Sequence, residues 1–272
     1  YLNTKRGWAT TTSGWTLPTA FVNTARATAA RIVDINGDQL PDIIKADEFG
    51  SIKEVYLNDG SGWATSTMWA PPQYFVSSST DYGVVFAELN GDGLPDLIRS
   101  FKDTVPEPDT LVNVAYLNTG SGWATTTEWQ HPDSVQSIED NIDKGFRLGD
   151  INGDAYTDIV RGCSCWTLAT STYLNSNAGW TNISSTWTYP YSITDLAVHD
   201  NGTRNVDVNG DMLVDIFMSR RGSGVPEERD ETIVDLNVSK QVDVLTLVTL
   251  PQGGSTTIEY KSSHLYRNGT TN

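Results

Sequence analysis

Four nonapeptides hold most of the chemistry this sequence could perform. They are Asp34-Ile35-Asn36-Gly37-Asp38-Gln39-Leu40-Pro41-Asp42, Glu88-Leu89-Asn90-Gly91-Asp92-Gly93-Leu94-Pro95-Asp96, Asp150-Ile151-Asn152-Gly153-Asp154-Ala155-Tyr156-Thr157-Asp158 and Asp207-Val208-Asn209-Gly210-Asp211-Met212-Leu213-Val214-Asp215. Each reads acid-x-Asn-Gly-Asp-x-x-x-Asp. Side-chain oxygens at positions 1, 3, 5 and 9, with a backbone carbonyl at 7, make a donor set free of nitrogen and sulfur. Such a set suits a hard cation, and calcium takes about 6–8 oxygens at about 2.3–2.6 Å in a flexible shell. The competing reading is an Asn-Gly-Asp turn that holds no ion. Four copies keeping carboxylates at positions 5 and 9 favour calcium.

The elements that must position these loops repeat with them. The loops begin at residues 34, 88, 150 and 207, spacings of 54, 62 and 57 residues. Short apolar runs flank each one: Arg31-Ile32-Val33 or Val84-Val85-Phe86 before, and Ile43-Ile44, Leu97-Ile98, Ile159-Val160 or Ile216-Phe217 after. Two apolar runs joined by an Asn-Gly-Asp loop predict a hairpin. A second motif follows, Tyr-Leu-Asn and a Gly-rich turn ending in Trp. It occurs at Tyr56–Trp63, Tyr116–Trp123 and Tyr173–Trp180, and again at Tyr1–Trp8. The Thr-rich stretches after Trp suit strands, because β-branched side chains fit a pleated surface. The expected fold class is therefore all-β, a β-propeller of four-stranded antiparallel blades with acidic loops. Four loops plus a leading half-repeat imply either part of a larger propeller or one whose last blade another segment completes.

The expected domains are blades over 1–237, with a half blade over 1–28, and the start of a following β region over 238–272. In that tail Ile233-Val234-Asp235-Leu236-Asn237 stands where Tyr-Leu-Asn belongs, without the Gly-x-Gly-Trp that should follow. Two strands around Pro251-Gln252-Gly253-Gly254 are expected beyond it.

Composition narrows the function classes. The chain has 272 residues and a formal net charge of -16, much of it in loops that carry three carboxylates each. An acidic surface disfavours phosphate backbones, which argues against nucleic acid as a partner. No run of about 18 apolar residues predicts a membrane-spanning helix. Cys163 and Cys165 make a poor zinc site alone and read as two thiols or a local disulfide. His131, His199 and His264 show no triad spacing, so no catalytic residue is assigned and a non-enzymatic role is expected.

The loops resemble the FG-GAP/VCBS repeat, the calcium-loop blade also found in integrin α-subunit propellers, over roughly residues 1–237. The tail from Leu245 through Gly253-Gly254-Ser255-Thr256-Thr257-Ile258-Glu259-Tyr260 resembles the segment that leaves the propeller in SpvB/TcB-type toxin components and RHS/YD-repeat proteins. Carried over by residue, the resemblance implies calcium ligands in each loop. They are Asp34, Asn36, Asp38 and Asp42; Glu88, Asn90, Asp92 and Asp96; Asp150, Asn152, Asp154 and Asp158; and Asp207, Asn209, Asp211 and Asp215. Carbonyls would come from Leu40, Leu94, Tyr156 and Leu213. Two departures predict unequal affinity. Glu88 lengthens the first ligand arm, and Gln39, Ala155 and Met212 stand where the sharp turn favours Gly, as in Gly93.

The resemblance implies a calcium-stabilised scaffold or recognition module of a large secreted or surface protein, partnered by other segments of that protein. The alternative is a carbohydrate- or protein-binding adhesin. The recurring pairs Trp8/Trp15, Trp63/Trp69, Trp123/Trp129 and Trp180/Trp187 are expected to pack between blades rather than stack on sugars, since regular recurrence suits architecture.

Overall fold

The computed structural model describes residues 2–3, 8–9, 15–22, 28–103, 110–132, 138–139, 142–163, 169–194, 201–211, 213–220, 231–238 and 247–258. Every regular element among them is a strand. The chain divides into two compact units, Tyr1–Asp143 with Asn177–Trp180, and Lys144–Ser176 with Thr181–Asn272.

The first unit opens with a small hairpin, β1 (Leu2–Asn3) and β2 (Trp8–Ala9). Its first blade runs in the order β3 (Ala30–Val33), β4 (Asp42–Asp47), β5 (Ile52–Asn58), β6 (Trp63–Ser66), each strand antiparallel to the next. A short hairpin, β7 (Val76–Ser77) and β8 (Thr80–Asp81), then touches β4 in parallel at Asp47. The second blade repeats this plan with β9 (Val84–Ala87), β10 (Asp96–Asp103), β11 (Thr110–Asn118) and β12 (Trp123–Thr126). Hairpin β13 (Ile138–Glu139) and β14 (Ile142–Asp143) again sits parallel to the second strand, at Phe101.

The third blade is β15 (Phe146–Gly149), β16 (Asp158–Cys163), β17 (Ala169–Asn175) and β18 (Trp180–Asn182). The fourth has three described strands, β19 (Thr203–Val206), β20 (Asp215–Arg220) and β21 (Glu231–Asp235). A last hairpin pairs β22 (Leu247–Thr249) with β23 (Ser255–Thr257) around the expected Pro/Gly turn. These are blades of the β-propeller class, with a hairpin at every acidic loop.

Burial explains the strand sequences. Second strands are covered on both faces: every residue of β4 and β16 is buried. Their apolar pairs Ile43-Ile44 and Ile159-Val160 are adjacent rather than alternating, with Lys45, Asp47 and Arg161 buried beside them. Outer strands such as Trp63-Ala64-Thr65-Ser66 expose their middle residues and hold threonine and serine. In the first unit Ile35, Ile44, Val55, Trp69, Phe75 and Leu97 join one core; in the second, Ile151, Val160, Tyr189, Ile193 and Ile216 form another. Burying each large aliphatic side chain contributes about 1.5–3 kcal/mol.

Glycine at one recurrent position makes the close approach of the first and second strands possible. Gly83, Gly145 and Gly202 each stand five residues before an acidic loop, all with positive φ. Their carbonyls accept the amides of Ser100, Gly162 and Ser219. A Cβ at Gly202 would lie 2.1 Å from the Ser219 carbonyl oxygen, and at Gly83 2.3 Å from that of Ser100. Ala29 takes this place in the first blade and accepts the Ala46 amide at 3.0 Å. Cys163 is disulfide-bonded and fully buried; Cys165 lies outside the described residues.

Candidate functional site

Each acidic loop links the first and second strands of its blade. All twenty expected ligand residues are described, and each set occupies one loop. Within a loop two levels are distinct, a buried floor at position 9 and a rim at positions 1, 3 and 5 that reaches solvent.

The floor is the same four times. Asp42, Asp96, Asp158 and Asp215 are the first residues of the second strands and are 0% exposed. One oxygen of each accepts the amide of loop position 2: Ile35 at 3.0 Å, Leu89 at 3.0 Å, Ile151 at 2.9 Å and Val208 at 3.0 Å. The other accepts the amide of the asparagine that closes Tyr-Leu-Asn or its counterpart: Asn58 and Asn118 at 2.7 Å, Asn175 and Asn237 at 2.8 Å. The position-9 carboxylate thus ties its loop to the end of the third strand.

The asparagine side chain extends the tie to the neighbouring blade of its own unit. Asn118 Nδ2 donates to the Ile35 carbonyl at 2.7 Å, and Asn237 Nδ2 donates to the Ile151 carbonyl at 2.7 Å. Asn118 Oδ1 accepts the Trp69 indole N–H at 3.1 Å. Recurrence marks these asparagines in the sequence, but nothing local reveals that their partners lie more than eighty residues away.

The rim folds carboxylates onto loop amides. Asp34 accepts from Gly37 and Asp38 with Oδ1 and from Gln39 with Oδ2, at 2.9, 3.1 and 2.7 Å. Asp150 repeats this with Gly153, Asp154 and Ala155 at 2.7, 3.2 and 2.8 Å. Asp207 takes Gly210 and Asp211. In all four loops the asparagine amide donates to the position-5 carboxylate, at 2.9–3.0 Å. The other oxygen of that carboxylate accepts the position-7 amide, from Leu40, Leu94, Tyr156 and Leu213. Glu88 departs from the pattern, sending Oε1 to Gly91 at 2.6 Å.

The expectation for position 6 holds where it is described. Gln39 and Ala155 both sit at φ 69, beside Gly93 at φ 80. An L-residue held there costs about 1–2 kcal/mol. Met212 lies outside the described residues, as do His199 and His264.

Burial raises the floor carboxylates of Asp42, Asp96 and Asp158 above the ordinary range. Desolvation is the main cause at Asp42, and repulsion from Asp38 and Asp34 adds to it; the two amide hydrogen bonds oppose it. Asp96 and Asp158 are pushed up to about 7 by the same causes, burial first, with Asp92 and Glu88 or Asp154 and Asp150 adding repulsion. The three acids of a loop therefore feel one another. Among the described residues, however, no three His, Cys, Asp or Glu side chains converge as a metal cluster. The donor set is all oxygen and fits calcium in kind. Holding an ion would exchange rim amide contacts for ion–oxygen bonds, while the floor oxygens keep spare lone pairs.

The tryptophans pack. Trp69 is 7% and Trp129 is 6% exposed. Trp123 donates its indole N–H to the Trp69 carbonyl at 3.3 Å, and Trp15 meets Trp63 edge-on at 5.7 Å.

With this geometry in view, the class of the repeat is clear. Residues 34–98, from the first loop into the second strand of the second blade, match the family model of the FG-GAP-like repeat. No curated protein matches the chain. Among solved structures, an Agrocybe aegerita lectin that recognises non-reducing terminal N-acetylglucosamine is similar at 17% identity and TM-score 0.49, over 78% of this chain and 49% of its own. The Photorhabdus luminescens Tc holotoxin pore is similar at 15% identity and TM-score 0.47, over 78% of this chain and 9% of its own. The chain thus spans about half the length of the first and a small part of the second. Among the described residues no helix is long and apolar enough to cross a membrane.

Proposed function

We propose that this chain is a calcium-stabilised, non-enzymatic scaffold and recognition module of a larger secreted or surface protein, of the toxin-complex or RHS kind. The observation that carries the reading is the fourfold loop. Each copy hangs Asp or Glu at position 1, Asn at 3 and Asp at 5 over a carboxylate buried at 9. An ion placed there would relieve repulsion among the acids, offset part of the net charge of -16 and pin two strands together. Its binding free energy would then become folding free energy. Two carboxylates already raised to about 7 by burial and crowding are what such an ion would stabilise in their charged form.

The tail over 247–258, a hairpin after the last blade, fits a chain that continues into a further β region. The glycan-binding alternative would use the tryptophan pairs as platforms, but Trp69 and Trp129 are spent on packing between strands. The test is thermal unfolding of chelated protein with and without millimolar calcium, using magnesium as control. A melting temperature raised by calcium and returned by EGTA supports the reading. An unchanged one overturns it.

A further inference from the structure

We propose that the acidic loops work in pairs, first with second and third with fourth, so that an ion taken by one member tightens the site of the other. This pairing rests on the calcium reading of the loops. It is carried by bonds and contacts that run from one loop into the next inside a single unit.

In the first unit a chain of four hydrogen bonds joins the two floors. Asp42 accepts the Ile35 amide at 3.0 Å. The Ile35 carbonyl accepts Asn118 Nδ2 at 2.7 Å. The Asn118 amide donates to Asp96 at 2.7 Å, and the other oxygen of Asp96 accepts the Leu89 amide at 3.0 Å. Ile35 and Leu89 stand at position 2 of their loops, between the ligands expected at 1 and 3. A direct contact runs beside this chain. Leu94, whose carbonyl is expected to serve the second loop from position 7, sets its side chain against Gly37 at position 4 of the first. A Cβ at Gly37 would lie 2.8 Å from Leu94 Cδ2. The residue that offers a carbonyl to one ion thus seats on the turn between two ligands of the other.

The second unit is tied in the same way. Asp158 accepts the Ile151 amide at 2.9 Å, the Ile151 carbonyl accepts Asn237 Nδ2 at 2.7 Å, and the Asn237 amide donates to Asp215 at 2.8 Å. Its direct contact is a backbone bond. Val214, at position 8 of the fourth loop, donates its amide to the carbonyl of Asp150, position 1 of the third, at 3.3 Å.

Two opposing effects set the sign. Ordering favours cooperation. The first ion holds its own loop, and with it the shared peptide and asparagine, so the second ion meets a site already held in place. Charge opposes it, since the first ion removes negative potential that would draw the second. The rim reaches solvent, and at about 0.15 M salt such fields are screened within about 8 Å. The ties are shielded from water: Ile35, Asp42, Leu89 and Asp96 are 0% exposed and Asn118 is 1% exposed. Ordering therefore wins, and the coupling is positive.

The test reads each loop separately, by amide hydrogen exchange of the full chain across a calcium titration in about 0.15 M salt. Peptides covering residues 88–96 report the second loop, which should gain protection with a defined calcium midpoint. Asp38→Ala disables the first loop from its exposed rim. It should raise the second-loop midpoint about fivefold or more, the lower end of typical couplings. Leu94→Ala removes the packing on Gly37 and keeps a backbone carbonyl at position 7; Asn118→Ala cuts the bond to Ile35. In either background the effect of Asp38→Ala should shrink by about twofold or more, the difference that separates linked from independent sites. Leu94 is only partly buried, so its variant keeps the test valid if Asn118→Ala does not fold. A second-loop midpoint unmoved by Asp38→Ala, or a shift undiminished by Leu94→Ala, overturns the pairing alone. If no loop of the native chain gains protection with calcium, the proposed function fails and the pairing with it.

Discussion

In the third loop Asp150 gathers the amides of Gly153, Asp154 and Ala155 with its two oxygens. In the second, Glu88 reaches Gly91 through a longer arm, and the turn passes through Gly93 rather than a strained alanine. Beneath both rims the floor is unchanged. Asp96 and Asp158 each accept one loop amide and one asparagine amide at 2.7–3.0 Å, and both are pushed up to about 7. The difference separates two jobs within one motif. Position 9 is aspartate in all four copies and ties the blade together; positions 1 and 6, on the rim of the proposed ion site, vary.

The largest effect that could break this division comes from the floor. Asp158→Ala leaves the Ile151 and Asn175 amides without their acceptor, and Asp96→Ala does the same to Leu89 and Asn118. Each orphaned buried amide costs about 1–3 kcal/mol, so either variant should lose about 2–5 kcal/mol in urea unfolding without calcium. Asp150→Ala at the rim should lose about 1 kcal/mol, since water replaces the exposed contacts. Equal losses at floor and rim would dissolve the distinction.

A pH series in EGTA sharpens it next. The folded values of Asp96 and Asp158, about 7, lie above the ordinary 3.8. The folded state therefore binds more protons than the unfolded one between those values. The stability from these groups is fully present below about 3.8 and is lost as pH rises through about 7. Asp96→Asn and Asp158→Asn should flatten that fall, whereas Asp92→Asn should leave most of it.

The smallest effects belong to position 6. Ala155→Gly should stabilise the third loop by about 0.5–1 kcal/mol by removing a strained positive φ. Gly93→Ala should destabilise the second by about 1 kcal/mol. A Cβ at Gly93 would meet nothing within 4 Å, so that cost is backbone strain alone. Changes of the same sign at both positions would refute the assigned turn.

Much of this molecule is legible in its sequence, and the boundary of what is legible has a physical cause. The hairpins around the loops follow from paired apolar runs. The third and fourth strands follow from Tyr-Leu-Asn and Gly-Trp, and observed β5, β6, β11 and β12 begin or end on those residues. The positive φ at Gln39 and Ala155 is signalled by Gly93, which stands at the same place in the second copy. The function of Asp42 and its equivalents does not follow, because an aspartate at position 9 looks like one more ligand. Only the fold shows it buried beneath one amide of its own loop and one at the end of the third strand. Asn118 is similar: its recurrence is visible, but its bond to Ile35 spans 83 residues. The glycine five residues before three of the loops is visible in the repeats, as Gly83, Gly145 and Gly202. Ala29 in the first copy hides it, and its reason is a carbonyl on the adjacent strand.

The proposed function stands on calcium held in these loops, with unequal strength. Isothermal titration of chelated protein with calcium addresses it directly, comparing the native chain with Glu88→Asp. Saturable binding is expected at two or more loops, with more than one affinity class and a tighter second-loop site in the Glu88→Asp variant. Binding that unfolds with no saturable heat, in either protein, at millimolar calcium would contradict it and leave the loops as ion-free turns built on a buried aspartate.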